Sequence, residues 1–94
     1  MFVWDESKRE RVIKEHGVDF DGITDIFADP FSIDYEDYEH SEDDETRYGK
    51  IGKTVEFGLV VLIYSVRDEE IRFITARRAE KWMVNEYEQQ RKRY

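Results

Sequence analysis

Apolar and polar positions along this chain repeat with different periods in different stretches, and each period predicts an element. Phe2-Val3-Trp4 is a short apolar run, read as a strand, and Asp5 is placed to cap a helix over Glu6 to Glu15. That helix stops at Gly17, the residue type favoured just past a helix end, and its apolar face is thin: Val12 and Ile13, with His16 beside them. Ile23, Ile26 and Phe27 recur at the spacing of one buried stripe. They predict a second helix, capped by Asp19 or Asp21 and closed at Asp29 by Pro30, the only proline.

Alternation follows. Phe31, Ile33 and Tyr35 interleave with Ser32, Asp34 and Glu36, the mark of a half-buried strand. No aliphatic residue occurs from Asp34 through Arg47, so this acidic stretch reads as a mobile loop. Arg47 to Lys53 predicts a strand with glycines at close approaches, and Phe57 to Val66, nearly all apolar and β-branched, a central strand covered on both faces. Asp68-Glu69-Glu70 forms the turn into an antiparallel partner, Ile71 to Thr75. From Ala79 a C-terminal helix carries Trp82, Met83, Tyr87 and Tyr94 on one side. The fold class is therefore α+β: β-α-α, an antiparallel meander of about four strands, and a final helix.

Length and composition narrow the reading. At 94 residues, 39% of them hydrophobic, the chain has interior enough for one domain spanning 1–94. It contains no cysteine, which excludes a disulfide framework and thiolate metal sites. Asp5, Glu6, Lys8 and Arg9 interrupt any leader-like run, and Leu59 to Tyr64 is too short to span a bilayer, so a soluble, cytoplasmic protein is expected.

Charge is uneven. The net charge of −8 conceals a stretch, residues 31–46, with eight acidic and no basic side chains, followed by residues 47–94 with eleven basic and seven acidic. An acidic total argues against nucleic-acid binding, because phosphate neutralisation supplies most of that affinity, but a C-terminal half at net +4 can still form a local positive patch. Familiar short motifs fall away. Gly52-Lys53-Thr54 copies the end of a phosphate-binding loop, yet the glycine required five positions before Gly52 is Arg47. Asp34 to Glu45 lacks the central glycine and alternating ligands of a calcium loop, and His16 and His40 have no thiolates to complete a zinc site. No metal or cofactor is expected.

Two groups carry candidate chemistry. His16 reads either as a last-turn residue that bonds a helix carbonyl, or as a proton-transfer group whose unperturbed pKa lies near neutrality. Arg72, Arg77 and Arg78 surround one strand end, where guanidinium groups and free backbone amides suit a phosphate. The competing reading pairs these arginines with the chain's own carboxylates, among them Asp68, Glu69, Glu80 and Glu86. By strict alternation Ile71, Phe73 and Thr75 share one face of the strand, and Arg72, Ile74 and Ala76 the other.

In order, Trp4-Asp5, Lys8, His16-Gly17-Val18-Asp19-Phe20, Phe27-Ala28-Asp29-Pro30, Arg47, Ile51-Gly52, Ile71-Arg72-Phe73-Ile74-Thr75-Ala76-Arg77-Arg78-Ala79 and Tyr87 resemble the BrnT toxins of bacterial type II toxin–antitoxin pairs. The resemblance runs from about Phe2 to Tyr87. It implies a compact RelE-like fold, endoribonuclease activity on RNA without a metal, and neutralisation by a BrnA antitoxin whose own domain binds DNA, so that DNA is reached only indirectly. Carried onto this chain, it makes Arg72 and Arg77 the phosphate clamp, Arg47 or Lys50 a third charge, Arg78 a further binding residue and His16 the acid/base.

Three positions depart from the family pattern: Val12 replaces an Asn, Glu15 a Lys and Met83 a Glu. With the acidic stretch, these departures support a second expectation, a catalytically weakened homologue serving as an interaction module or co-repressor subunit.

Overall fold

The computed structural model describes residues 1–39, 41 and 45–93. The elements are β1 (Phe2–Val3), α1 (Glu6–His16), two 3-10 turns (Phe20–Gly22 and Thr24–Ala28), β2 (Ile33–Glu36), β3 (Arg47–Thr54), β4 (Gly58–Arg67), β5 (Glu70–Arg78) and α2 (Lys81–Lys92). The fold is α+β, and the strands form one sheet in the order β1-β5-β4-β3-β2. β1 runs parallel to β5, and the other pairings are antiparallel.

Local chemistry accounts for the ends of α1. The Asp5 carboxylate accepts from the Ser7 amide at 2.8 Å, and Gly17 takes the left-handed conformation (φ 67°) while its own amide donates to the Ile13 carbonyl at 2.9 Å. The predicted second helix is instead two 3-10 turns. Asp19 caps the first by accepting from the Asp21 amide, and Ile23 (φ −126°, ψ 10°) breaks the run between them. Arg9 clamps this corner to α1, its Nε and Nη2 donating to the two oxygens of Asp19 at 2.7 and 2.9 Å. That hydrogen bonding holds the Asp19 carboxyl below the ordinary carboxylate range.

The sheet is covered on both sides. On one side α1 and the 3-10 turns place Val12, Val18, Phe20, Ile23 and Ile26 against Val60, Leu62, Tyr64, Phe73 and Ala76. Phe73 lies at the centre, with the Trp4 ring 5.4 Å and the Phe20 ring 5.6 Å away. On the other side Met83 and Tyr87 of α2 cover Ile51, Val61, Ile63 and Ile74. β4 contributes to both cores, which is why its sequence shows no alternation. Each fully buried aromatic or aliphatic side chain contributes about 1.5–3 kcal/mol.

The acidic stretch is partly built into this frame, contrary to the expectation of a mobile loop after the strand. Asp34 and Glu36 belong to β2, as their alternation with Ile33 and Tyr35 predicts; beyond it Asp37 is buried, its amide donating to the Arg47 carbonyl at 2.8 Å, and the Ser41 hydroxyl donates to the Asp37 carbonyl. His40, weighed above as a metal ligand, and Tyr94, placed above on the apolar side of the last helix, lie outside the described residues. Trp82 is a second correction: it is exposed, because Met83 and Tyr87, four residues apart, form the buried stripe of α2 and Trp82 falls beside it. Among the described residues no helix is long and apolar enough to cross a membrane.

Candidate active site

A β-bulge decides which arginines share a face. Along β4 and β5 the register runs Ser65 opposite Arg72, Tyr64 opposite Phe73, then Ile63 opposite Thr75, so β5 has one extra residue at Ile74. Alternation is reset there. Ala76 joins Phe73 in the α1-side core, whereas Thr75 and Arg77 turn to the α2 side. The sequence reading had paired Thr75 with Phe73 and Ala76 with Arg72. With the extra residue, Arg72 and Arg77 project from one face, since Arg72 lies opposite Ser65 and Arg77 opposite Val61, both on the α2 side. Arg47, also opposite Ser65, completes a cross-strand row of Arg47, Ser65 and Arg72.

On that face a cavity of 610 Å³ opens between the end of β2 and the start of α2. Val61, Ile63 and Thr75 form its floor, and Arg77 and His16 reach it from β5 and from the last turn of α1. Tyr35, Glu36, Asp37, Tyr38 and Glu39 make one wall, and Glu80, Trp82 and Met83 the opposite one. The Arg77 Nη1 donates to Glu80 Oε1 at 2.7 Å, while Glu80 Oε2 accepts from the Trp82 indole at 2.8 Å. His16 Nε2 lies 3.9 Å from a Glu15 carboxylate oxygen. Arg47 and Arg72 lie outside the cavity lining; Arg47 pairs with Glu45 at 3.1 Å, and no ion pair to Arg72 is found among the described residues.

Lys50 and Arg78 are not part of this assembly. Lys50 pairs across the strands with Asp34 and Leu62 on the α1 side, where its Nζ donates to Asp34 at 3.0 Å and sits 5.0 Å over the Phe27 ring. Arg78 lies opposite Val60, also on the α1 side, donating to the Phe57 carbonyl at 2.8 Å above the Phe57 ring. The period of two along their strands sends each to the face opposite Arg77, so neither of these two expected binding residues shares the cavity with it.

Residues 4–82 match the family model of BrnT, the ribonuclease toxin of type II toxin–antitoxin systems. The chain belongs to the BrnT toxin family. A 1.1 Å crystal structure of the Brucella abortus ribonuclease toxin BrnT is similar to it with a TM-score of 0.66 and 26% sequence identity, over 86% of this chain and 99% of that one. No curated protein matches it.

In this BrnT chain the motif residues divide into frame and cleft. Trp4 stacks on Phe73, Gly17 supplies the left-handed turn that ends α1 beneath His16, and Asp29 accepts from the Phe31 and Lys53 amides and the Tyr87 hydroxyl. Burial would raise the Asp29 carboxyl; those donors outweigh it and hold the group below the ordinary range. Val12 and Met83, two of the departures from the family pattern, are buried in the two cores. Sequence reasoning missed the acidic wall and Trp82 as neighbours of Arg77. Glu36 to Glu39 lie about forty residues away in sequence, and only their polar character hinted at a surface role.

Proposed function

We propose that this chain is the toxin of a type II pair, a metal-independent endoribonuclease neutralised by a BrnA-type antitoxin that reaches DNA through its own domain. The observation that carries the reading is the meeting of His16 and Arg77 in one cavity, with Arg72 and Arg47 on the same face of the sheet. Cleavage proceeds by attack of a 2′-hydroxyl on the adjacent phosphorus. The hydroxyl proton passes to the His16 imidazole, the bond to the 5′ oxygen breaks, and that oxygen takes a proton from water, leaving a cyclic phosphate and a 5′ hydroxyl. Arg77 offsets the charge that accumulates on the phosphoryl oxygens, and Arg72, outside the cavity on the same face, meets a neighbouring phosphate of the strand. Arginine does not give up a proton at neutral pH, so the acid/base role falls to His16.

The test is RNA cleavage by purified protein in the presence of a chelator. Wild type is expected to produce 5′-hydroxyl fragments, and Arg77→Ala and His16→Ala to lose about a hundredfold in rate each. Unchanged rates in both variants would remove the site. A second reading, a non-cleaving interaction module or co-repressor subunit, is favoured by the pairing of Arg77 with Glu80 and of Arg47 with Glu45. Under it the protein binds the antitoxin but leaves RNA intact, and expression without antitoxin does not arrest growth.

A further inference from the structure

We propose that Trp82 is the stacking platform for an unpaired nucleobase of the RNA, next to a phosphate held by Arg77. The proposal rests on the ribonuclease reading above and adds a substrate-positioning residue to it. Trp82 lies in the first turn of α2 and is 52% exposed, although its neighbours Met83 and Tyr87 are buried. An indole left in water forfeits the burial free energy that such a ring normally contributes. It is nevertheless oriented: Glu80 accepts from the indole N–H with one oxygen and from Arg77 with the other, so a single carboxylate fixes an aromatic ring and a guanidinium at the cleft.

The electrostatics select which part of a nucleotide enters. Glu36, Asp37, Glu39 and Glu80 all line the cavity and repel a phosphodiester. A nucleobase is neutral, and its π face suits the indole whatever its identity. The phosphate therefore stays at the rim on Arg77. Its guanidinium has five N–H donors, of which Glu80 takes one among the described residues. Tyr38, 78% exposed on the facing wall, gives the cleft a second ring.

Binding of a short single-stranded RNA made non-cleavable by 2′-O-methylation tests this. Trp82→Ala is expected to weaken binding roughly tenfold or more, and Trp82→Phe to keep most of the affinity. In a Trp4→Phe background the remaining Trp82 emission is expected to quench to saturation as RNA is added. Wild-type affinity in Trp82→Ala, or unchanged Trp82 emission at saturating RNA, overturns the proposal. If wild type cleaves RNA while Trp82→Ala binds it normally, stacking alone is lost. If wild type neither binds nor cleaves RNA, the ribonuclease reading falls and the proposal with it. If an arginine-rich peptide binds through Trp82 while RNA affinity ignores the substitution, the cleft belongs to a cationic protein segment and the proposal is overturned.

Discussion

The Tyr87 hydroxyl of α2 donates to the Asp29 carboxylate at 2.8 Å, tying the C-terminal helix to the corner between the 3-10 turns and β2. The same Asp29 oxygen accepts from the Lys53 amide, so one carboxylate joins α2, β3 and the Pro30 corner. Tyr87→Phe removes a bond to a charged acceptor at a buried site and is expected to cost about 2 kcal/mol in chemical denaturation. Its pH signature is equally specific. Burial, reinforced by the Asp29 carboxylate, pushes the Tyr87 hydroxyl up to about 12 from the ordinary 10.0. The stabilisation is complete below 10.0 and is lost as pH rises towards 12. Stability of the Phe variant should lack that alkaline loss.

Asp29 itself makes the opposite prediction at low pH. Its folded value lies below the ordinary 3.8, so its contribution is present above 3.8 and disappears as pH falls through the folded value. In Asp29→Asn, acid denaturation curves are expected to start from lower stability near neutrality and to fall less steeply.

Gly49 makes room for Tyr35, the side chain at the mouth of the cleft. A methyl group at this position would overlap the Tyr35 ring. Gly49→Ala should therefore displace the ring, cost about 1–3 kcal/mol by overpacking, and reduce RNA cleavage together with stability. Thermal melting alongside a single-turnover assay checks both.

The β4–β5 hairpin closes through Asp68 and Glu69, both at positive φ (51° and 67°). This is the geometry of a two-residue primed turn, tolerated by Asp and unfavourable for Glu. Glu69→Gly is expected to stabilise the protein by about 1 kcal/mol, read from the denaturant midpoint.

Face assignment gives a direct comparison of arginines. Arg72→Ala is expected to weaken RNA binding several-fold and to lower its salt dependence by roughly one charge, whereas Arg78→Ala acts mainly on stability by loosening Phe57. Titration of a fixed RNA at several salt concentrations distinguishes them.

Much of the frame was legible in the sequence because it depends on neighbours in the chain. The Asp5 cap, the Gly17 stop, the doubly covered β4 and the turn at Asp68 each follow from a few adjacent residues. The second helix was misread because Ile23, Ile26 and Phe27 can line one side of successive 3-10 turns as well as of an α-helix. The cleft was less legible for a different reason. Whether Thr75 or Ala76 faces α2 depends on pairing with β4, which the periodicity of β5 alone does not encode. The meeting of Glu36 to Glu39 with Glu80 and Trp82 likewise depends on chain reversal across the sheet. Electrostatic patterning along the chain identified an acidic stretch and a basic half, but not that carboxylates line the cavity at Arg77.

The bulge at Ile74 also sets which of the two consecutive arginines at the end of β5 lies at the cleft. Paired regularly, with no residue bulged out, the same residues after Ile74 would exchange sides, and Arg78 rather than Arg77 would face the α2 side. A doublet at this point keeps a cation above the cleft through a one-residue deletion or slip, so positive charge there tolerates length changes in the hairpin that would strand a lone arginine on the wrong side.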